Sequence, residues 1–199
     1  TFATVDGTVL LIKHLYHTTF PDGVRTVTPY FEFPLGEKEV PISKSGQPIK
    51  LITAQSDSDQ TTVAAQTANA HILIVSFRKE SAFLGDEGSV VRQDAIITAG
   101  NIITQMAMDV DQRELYVADE KGFVSFYDIN DKTAPRLIQR VHAVPDGVGI
   151  TSLQFLSGGI SILVGDTRGV ISQWFPVRDE ENNYTLDNIR HFDSQHAPI

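Results

Sequence analysis

His14 and His17 form the closest histidine pair in the sequence, and a paired imidazole site would point to metal chemistry. On a strand, residues three apart face opposite sides, so the two rings cannot meet one ion without a bulge. A metal ligand set needs donors converging at about 2.0–2.1 Å, and this spacing does not supply it. Asp57-Ser-Asp59 resembles the opening of a calcium loop. Thr62 stands where that loop needs glycine, and the closing glutamate is missing, so the segment reads as a solvated loop between Leu51–Ala54 and Thr61–Ala65. Gly147-Val-Gly149 falls short of a phosphate-cradling Gly-x-Gly-x-x-Gly, and no helix follows whose N-terminus could hold an anion. Pro145-Asp-Gly-Val-Gly149 reads as a turn. No Gly-x-Ser-x-Gly elbow occurs to anchor a hydrolase triad. Asn183-Tyr-Thr185 fits the glycosylation pattern, a triplet common by chance. With no cysteine, thiol catalysis, disulfides and thiolate zinc sites are excluded. The sequence therefore assigns no catalytic, cofactor-binding or metal-binding residue, and the chain is expected to be non-catalytic with no cofactor.

Two acids invite a closer reading because they recur. Asp119 and Asp166 each stand three residues before a glycine, in Val117-Ala-Asp-Glu-Lys-Gly122-Phe-Val124-Ser-Phe-Tyr127 and Val164-Gly-Asp-Thr-Arg-Gly169-Val-Ile171-Ser-Gln-Trp174. In both, a β-branched residue follows two positions after the glycine and an aromatic follows five after it. Recurrence at a turn predicts a structural role, with the carboxylate accepting turn amides; replacing either by alanine would then cost about 1–2 kcal/mol. Tyr127 and Trp174, at matching positions, read as packing residues between repeated units.

These residues must be carried by a repeating element. The preceding strands match at the same offset: Ile103-Thr104 falls on Ile150-Thr151 and Leu115 on Ile162, a repeat of 47 residues. Val5-Asp6-Gly7-Thr8-Val9 and Asn69-Ala70-His71-Ile72 are weaker copies, the second with Ala70 in place of glycine. The anchors at 7, 70, 122 and 169 lie 63, 52 and 47 residues apart, so the upstream connections are longer. Asp and Gly supply a tight turn, and the alternating apolar residues after it lay one strand face on a core. No long window shows a 3.6-residue period. A unit of about 40–50 residues with roughly four strands predicts a β-propeller blade. The expected fold is all-β: a partial WD-repeat-like propeller of about four blades of four-stranded antiparallel sheets, with at least one blade incomplete. Residues 1–199 form a single segment, expected to belong to a longer protein because both termini fall inside the repeat.

Composition narrows the partners. The net charge is −9, and Lys and Arg are scattered rather than gathered on one face, which argues against nucleic acid and anionic membrane surfaces. The longest apolar run, His71 to Phe77, is strand length, far short of the roughly 18–20 residues that cross a bilayer. Membrane attachment is therefore expected only through segments outside this chain.

Gly122/Val124/Tyr127-Asp128 and Gly169/Ile171/Trp174 resemble the Gly-x-Val-x-x-Trp-Asp end of WD repeats, with the Gly-His of that motif reduced to His142 or His196. A narrower resemblance runs from Gly149 through Trp174-Phe-Pro-Val-Arg178, together with the closing His196-Ala-Pro-Ile199. It resembles the WD-like insert of the extended permease subunit of a bacterial phosphate ABC transporter. That resemblance implies a non-catalytic domain on the periplasmic face of the bacterial inner membrane. Its implied partners are the phosphate-binding protein or other transporter subunits. The alternative is a cytosolic WD-type scaffold module of a larger assembly, and an enzymatic propeller is the third reading. Exposed blade edges predict that the isolated chain self-associates.

Overall fold

A computed structural model describes residues 2–3, 6–10, 12–33, 39–80, 89–178 and 184–193. The strands in chain order are β1 (Phe2–Ala3), β2 (Thr8–Leu10), β3 (Lys13–Thr19), β4 (Thr26–Glu32) and β5 (Val40–Pro41). The second group comprises β6 (Ile49–Ser56), β7 (Gln60–Thr67), β8 (His71–Lys79) and β9 (Val90–Thr98). The third comprises β10 (Ile103–Met108), β11 (Glu114–Asp119), β12 (Phe123–Asp128) and β13 (Arg136–His142). The fourth comprises β14 (Ile150–Phe155), β15 (Ile162–Asp166), β16 (Val170–Arg178) and β17 (Tyr184–Asp193).

Pairing follows chain order and is antiparallel throughout. Groups two, three and four are each a four-stranded meander, and β1, β2 and β5 form a first, three-stranded sheet. β3 and β4 make a separate two-stranded hairpin inserted between β2 and β5. This insertion accounts for the long 63-residue spacing from anchor 7 to anchor 70. The first strands of successive sheets run side by side, with β10 between β6 and β14. This is the all-β, WD-repeat-like propeller architecture expected: three complete blades and a first one with three strands among the described residues.

The anchors hold in backbone geometry. Gly7, Ala70, Gly122 and Gly169 all take the left-handed conformation, at φ of 81°, 59°, 80° and 82°. Each of the last three closes the same tight turn, its amide donating to the carbonyl three residues back. At Gly122 a Cβ would meet Val144 Cγ2 at 2.6 Å, so close packing as well as φ favours glycine there. The inner strands β6, β10 and β14 bulge at matching places, just after Ile49, Ile103 and Ile150.

Strand alternation splits the second and third sheets between two cores each. Val63, Ala65, Val75 and Phe77 pack with Val9, Val40 and Ile42 of the first sheet. Ala64, Ile72, Ile74 and Ile97 face the third sheet instead, against Leu115, Val117 and Ile129. Tyr116, Ala118, Val124 and Phe126 then face the fourth, against Leu153, Ile162, Val164, Trp174 and Leu186. The core is thus three inter-sheet layers, each the product of a period-2 pattern read on both faces. Polar links cross the same boundaries: Arg92 donates to the carbonyls of Pro41 and Ile42, and Gln55 Nε2 to that of Met108 at 3.3 Å.

Candidate functional site

The recurrent acids are turn caps. Asp119 Oδ1 accepts the amides of Lys121 and Phe123 at 2.9 and 3.1 Å. Its Oδ2 accepts Asn101 Nδ2 at 2.8 Å and the Arg140 guanidinium at 2.7 Å. Asp166 Oδ1 accepts the amides of Arg168 and Val170 at 2.8 and 3.1 Å. Its Oδ2 accepts Nε and a terminal nitrogen of Arg168 at 3.0 and 2.6 Å. Burial pushes both carboxyls up. The hydrogen bonds outweigh it, from Asn101, Arg140 and two amides for Asp119 and from Arg168 and two amides for Asp166, and hold both below the ordinary carboxylate value. A carboxylate engaged by four donors is a weakened base.

The aromatics pack as the repeat predicts. Trp174 is buried in the layer between the third and fourth sheets and donates Nε1–H to Ser172 Oγ at 2.9 Å. Tyr127 packs against the layer between the second and third. Tyr116 stacks on Phe126 with ring centroids 4.7 Å apart, and its hydroxyl donates to Glu114 Oε2 at 3.0 Å. Burial raises the Tyr116 phenol, and the adjacent Glu114 charge adds to the rise.

The other sequence candidates separate. His17 is exposed on β3; His14 sits on the same strand and its side chain is outside the described residues. Asp57 Oδ1 accepts the amides of Asp59 and Gln60, both at 2.8 Å, so the acidic stretch is a self-capped turn. Gly147, at φ 78°, lies in the turn closed by the Val148 amide on Pro145. His142 ends β13 stacked on Phe123, centroids 4.5 Å apart, with Arg140 over the same ring at 3.9 Å. Asn183 and 194–199 lie outside the described residues. Among the described residues no group of three His, Cys, Asp or Glu side chains converges on a metal position, and no helix is long and apolar enough to cross a membrane.

Three features carry no signal in the recurring motif. The first is the hairpin: every residue of β4 is exposed, and Tyr16, Phe20 and Phe31 are 62%, 66% and 67% exposed. The second is a polar groove between the second and third sheets, walled by Asp57, Asp59, Arg78, Arg113 and Lys132. Buried Gln112, at φ 60°, donates to Asp57 Oδ2 at 2.9 Å. Lys132 is buried too and donates to the Gln112 and Ile129 carbonyls; burial pushes its amine down against the upward pull of Asp109 and Asp128. The third is a cavity of about 250 Å³ between the first and second sheets, bounded by the 42–47 connection, the turn at Ala70 and the outer strand β9.

No protein-family model matches the chain, and no curated protein matches it. The structure is similar to the Cps50 (Swd1) β-propeller domain of Myceliophteria thermophila, at 13% identity and TM-score 0.55 over 96% of this chain and 55% of that one. It is similar to Hsv2 of Kluyvelomyces marxianus, at 17% identity and TM-score 0.55 over 84% and 55%. A Bacteroides fragilis protein described as a 6-phosphogluconolactonase matches at 12% identity and TM-score 0.52 over 80% and 43%. The chain thus spans about half the length of these propellers, and at such identities the likeness establishes the fold. These findings overturn the expected identity as a phosphate ABC transporter permease insert, and with it the expected place on the periplasmic face of the inner membrane. The solved structures it resembles are propellers of other kinds. The physical reason is in the sheet: the quoted run 149–178 covers β14, β15 and β16, and its alternation and Asp-x-x-Gly turn are what any blade of this kind needs. Those residues carry fold, not parentage.

Proposed function

We infer that this chain is a non-catalytic, WD-type scaffold module that works by protein contact, with the β3–β4 hairpin as its contact arm. One observation carries the reading. The hairpin stands outside the three inter-sheet cores yet displays Tyr16, Phe20, Val27, Tyr30 and Phe31 to solvent. An isolated two-stranded hairpin is marginal in water, and register sets Tyr16, Val27 and Phe31 on one of its faces and Tyr30 on the other, all exposed. Loops carried by a rigid scaffold are where such proteins place their contacts. The engaged turn acids support a non-catalytic reading, since they serve the backbone.

A photo-crosslinking residue placed at Phe20 or Phe31 in the native cell tests this. Discrete crosslinked protein bands from these positions, lost when the hairpin aromatics are changed to serine, are expected. Crosslinking no greater than from exposed Val110, on the β10–β11 turn, would sink the reading.

A further inference from the structure

An edge strand offers its outward N–H and C=O groups to any strand that comes alongside, and folded proteins close such edges with proline, charged side chains or packing. The complete sheets and the first one follow that rule. Their outermost strands are β5, β9, β13 and β17. β5 carries Pro41, β9 carries Arg92 and Asp94, β13 carries Arg136 and Arg140, and β17 carries Asp187 and Arg190. The inner strands β6, β10 and β14 run against one another, and β1 is two residues long.

The hairpin differs. β3 and β4 pair only with each other, so among the described residues each has one side with no neighbouring strand. The two sides are not alike. Register sets Pro29 opposite Tyr16. Opposed residues in an antiparallel pair alternate between those that exchange two hydrogen bonds and those that exchange none. Pro29 has no N–H to give, so its pair is of the second kind. By alternation so are Thr18 opposite Val27 and His14 opposite Phe31. The backbone groups of these residues therefore point away from the partner strand. On β4 that outward row is interrupted by Pro29. On β3 it runs to Thr18 without proline, and the stretch 14–19 holds no Lys, Arg, Asp or Glu. Thr18 and Thr19 are exposed. The outer side of β3 thus lacks every guard that the other edges carry.

Resting on the reading of the hairpin as a contact arm, we propose that the outer edge of β3 takes an extended segment of a partner protein as a third strand. A row of alternating donors and acceptors is matched in register only by another extended backbone. That fixes the class of partner: a segment of about five or more residues with no proline at the ladder positions. Beside Tyr16 and Thr18, β-branched or aromatic side chains of the segment pack best. The third strand also supplies what the arm lacks, since two strands alone are marginal and three with an apolar face are not. Tyr16, Val27 and Phe31 already form such a face.

The photo-crosslinking residue at Phe20 in the native cell reads the contact, and variants aimed at the backbone read its mode. Thr18→Pro deletes one outward N–H of β3, at a position of the kind that Pro29 already occupies on β4. It should weaken the crosslinked bands about tenfold. Thr18→Val keeps the N–H and should keep the bands. Val27→Pro makes the same deletion on the edge that Pro29 closes, and should keep them too. Mass spectrometry of the bands should show a different protein joined to the arm. Bands absent from the unmodified chain would overturn the arm reading and strand addition together. Bands that survive Thr18→Pro, that fall equally with Thr18→Val or Val27→Pro, or that contain only a second copy of this chain would leave the arm as a contact and overturn strand addition.

Discussion

Asp166 shows how much a single turn side chain carries: it is 2% exposed and serves two amides and a bidentate arginine. Its carboxyl titrates below the ordinary range, so as pH falls the unfolded chain takes up a proton before the folded one does. The stabilisation is complete above the ordinary carboxylate value and is lost as pH falls through the depressed one. Asp166→Asn is therefore expected to flatten the acid limb of a stability–pH curve, and Asp119→Asn to do the same. Urea melts between pH 6 and pH 2 would check this; an unchanged limb would refute it. Ala70 runs the other way. Glycine relieves the left-handed strain at 59° and gives back part of the gain through unfolded-state entropy, so Ala70→Gly should stabilise by about 0.5–1 kcal/mol. Differential denaturation of the two proteins reads that directly. The turn acids and this alanine were legible in sequence because a recurring Asp-x-x-Gly marks its own exceptions. The hairpin aromatics were not, because Tyr16, Phe20 and Phe31 lie in an insertion that the recurring motif does not include.

At the scale of elements, the repeat of turn and strand, though not the recurring bulge, was legible from 103 onward, where spacing is regular, and blurred upstream. The reason is the hairpin inserted between β2 and β5, which breaks the period without breaking the sheet. Alternation alone does not distinguish a strand buried between sheets from one in open water: β4 reads as apolar-rich yet is wholly exposed. Since the hairpin belongs to none of the three cores, replacing 13–32 by a short Gly-Ser linker should leave the thermal midpoint within about 3 °C of the original. The same deletion should remove the contact ascribed to the arm. A large fall in the midpoint would show that the hairpin braces the first sheet instead.

For the whole molecule, register extends the logic to the last sheet. Leu163, Gly165 and Ile171 occupy the positions that Tyr116, Ala118 and Val124 use to face the next sheet. This face, rather than a strand edge, is where the expected self-association would occur. Light scattering at high concentration should give a mass above 21.9 kDa, reduced to that value by Ile171→Glu. A monomer in the unmodified chain would remove the expectation. The fold class was readable because a propeller is written many times over in its own sequence. The narrower parentage was not, because the residues that suggested it are those every such sheet requires.

Each of the three cores lies between adjacent sheets, so no layer depends directly on one two sheets away. Held by its ends in an optical trap, the chain should give way in successive rips, not one. A regular unit of 47 residues would release a contour length on the order of 160 Å. The force record would then be a ruler laid along the polypeptide, its graduations set by the spacing of the glycine turns.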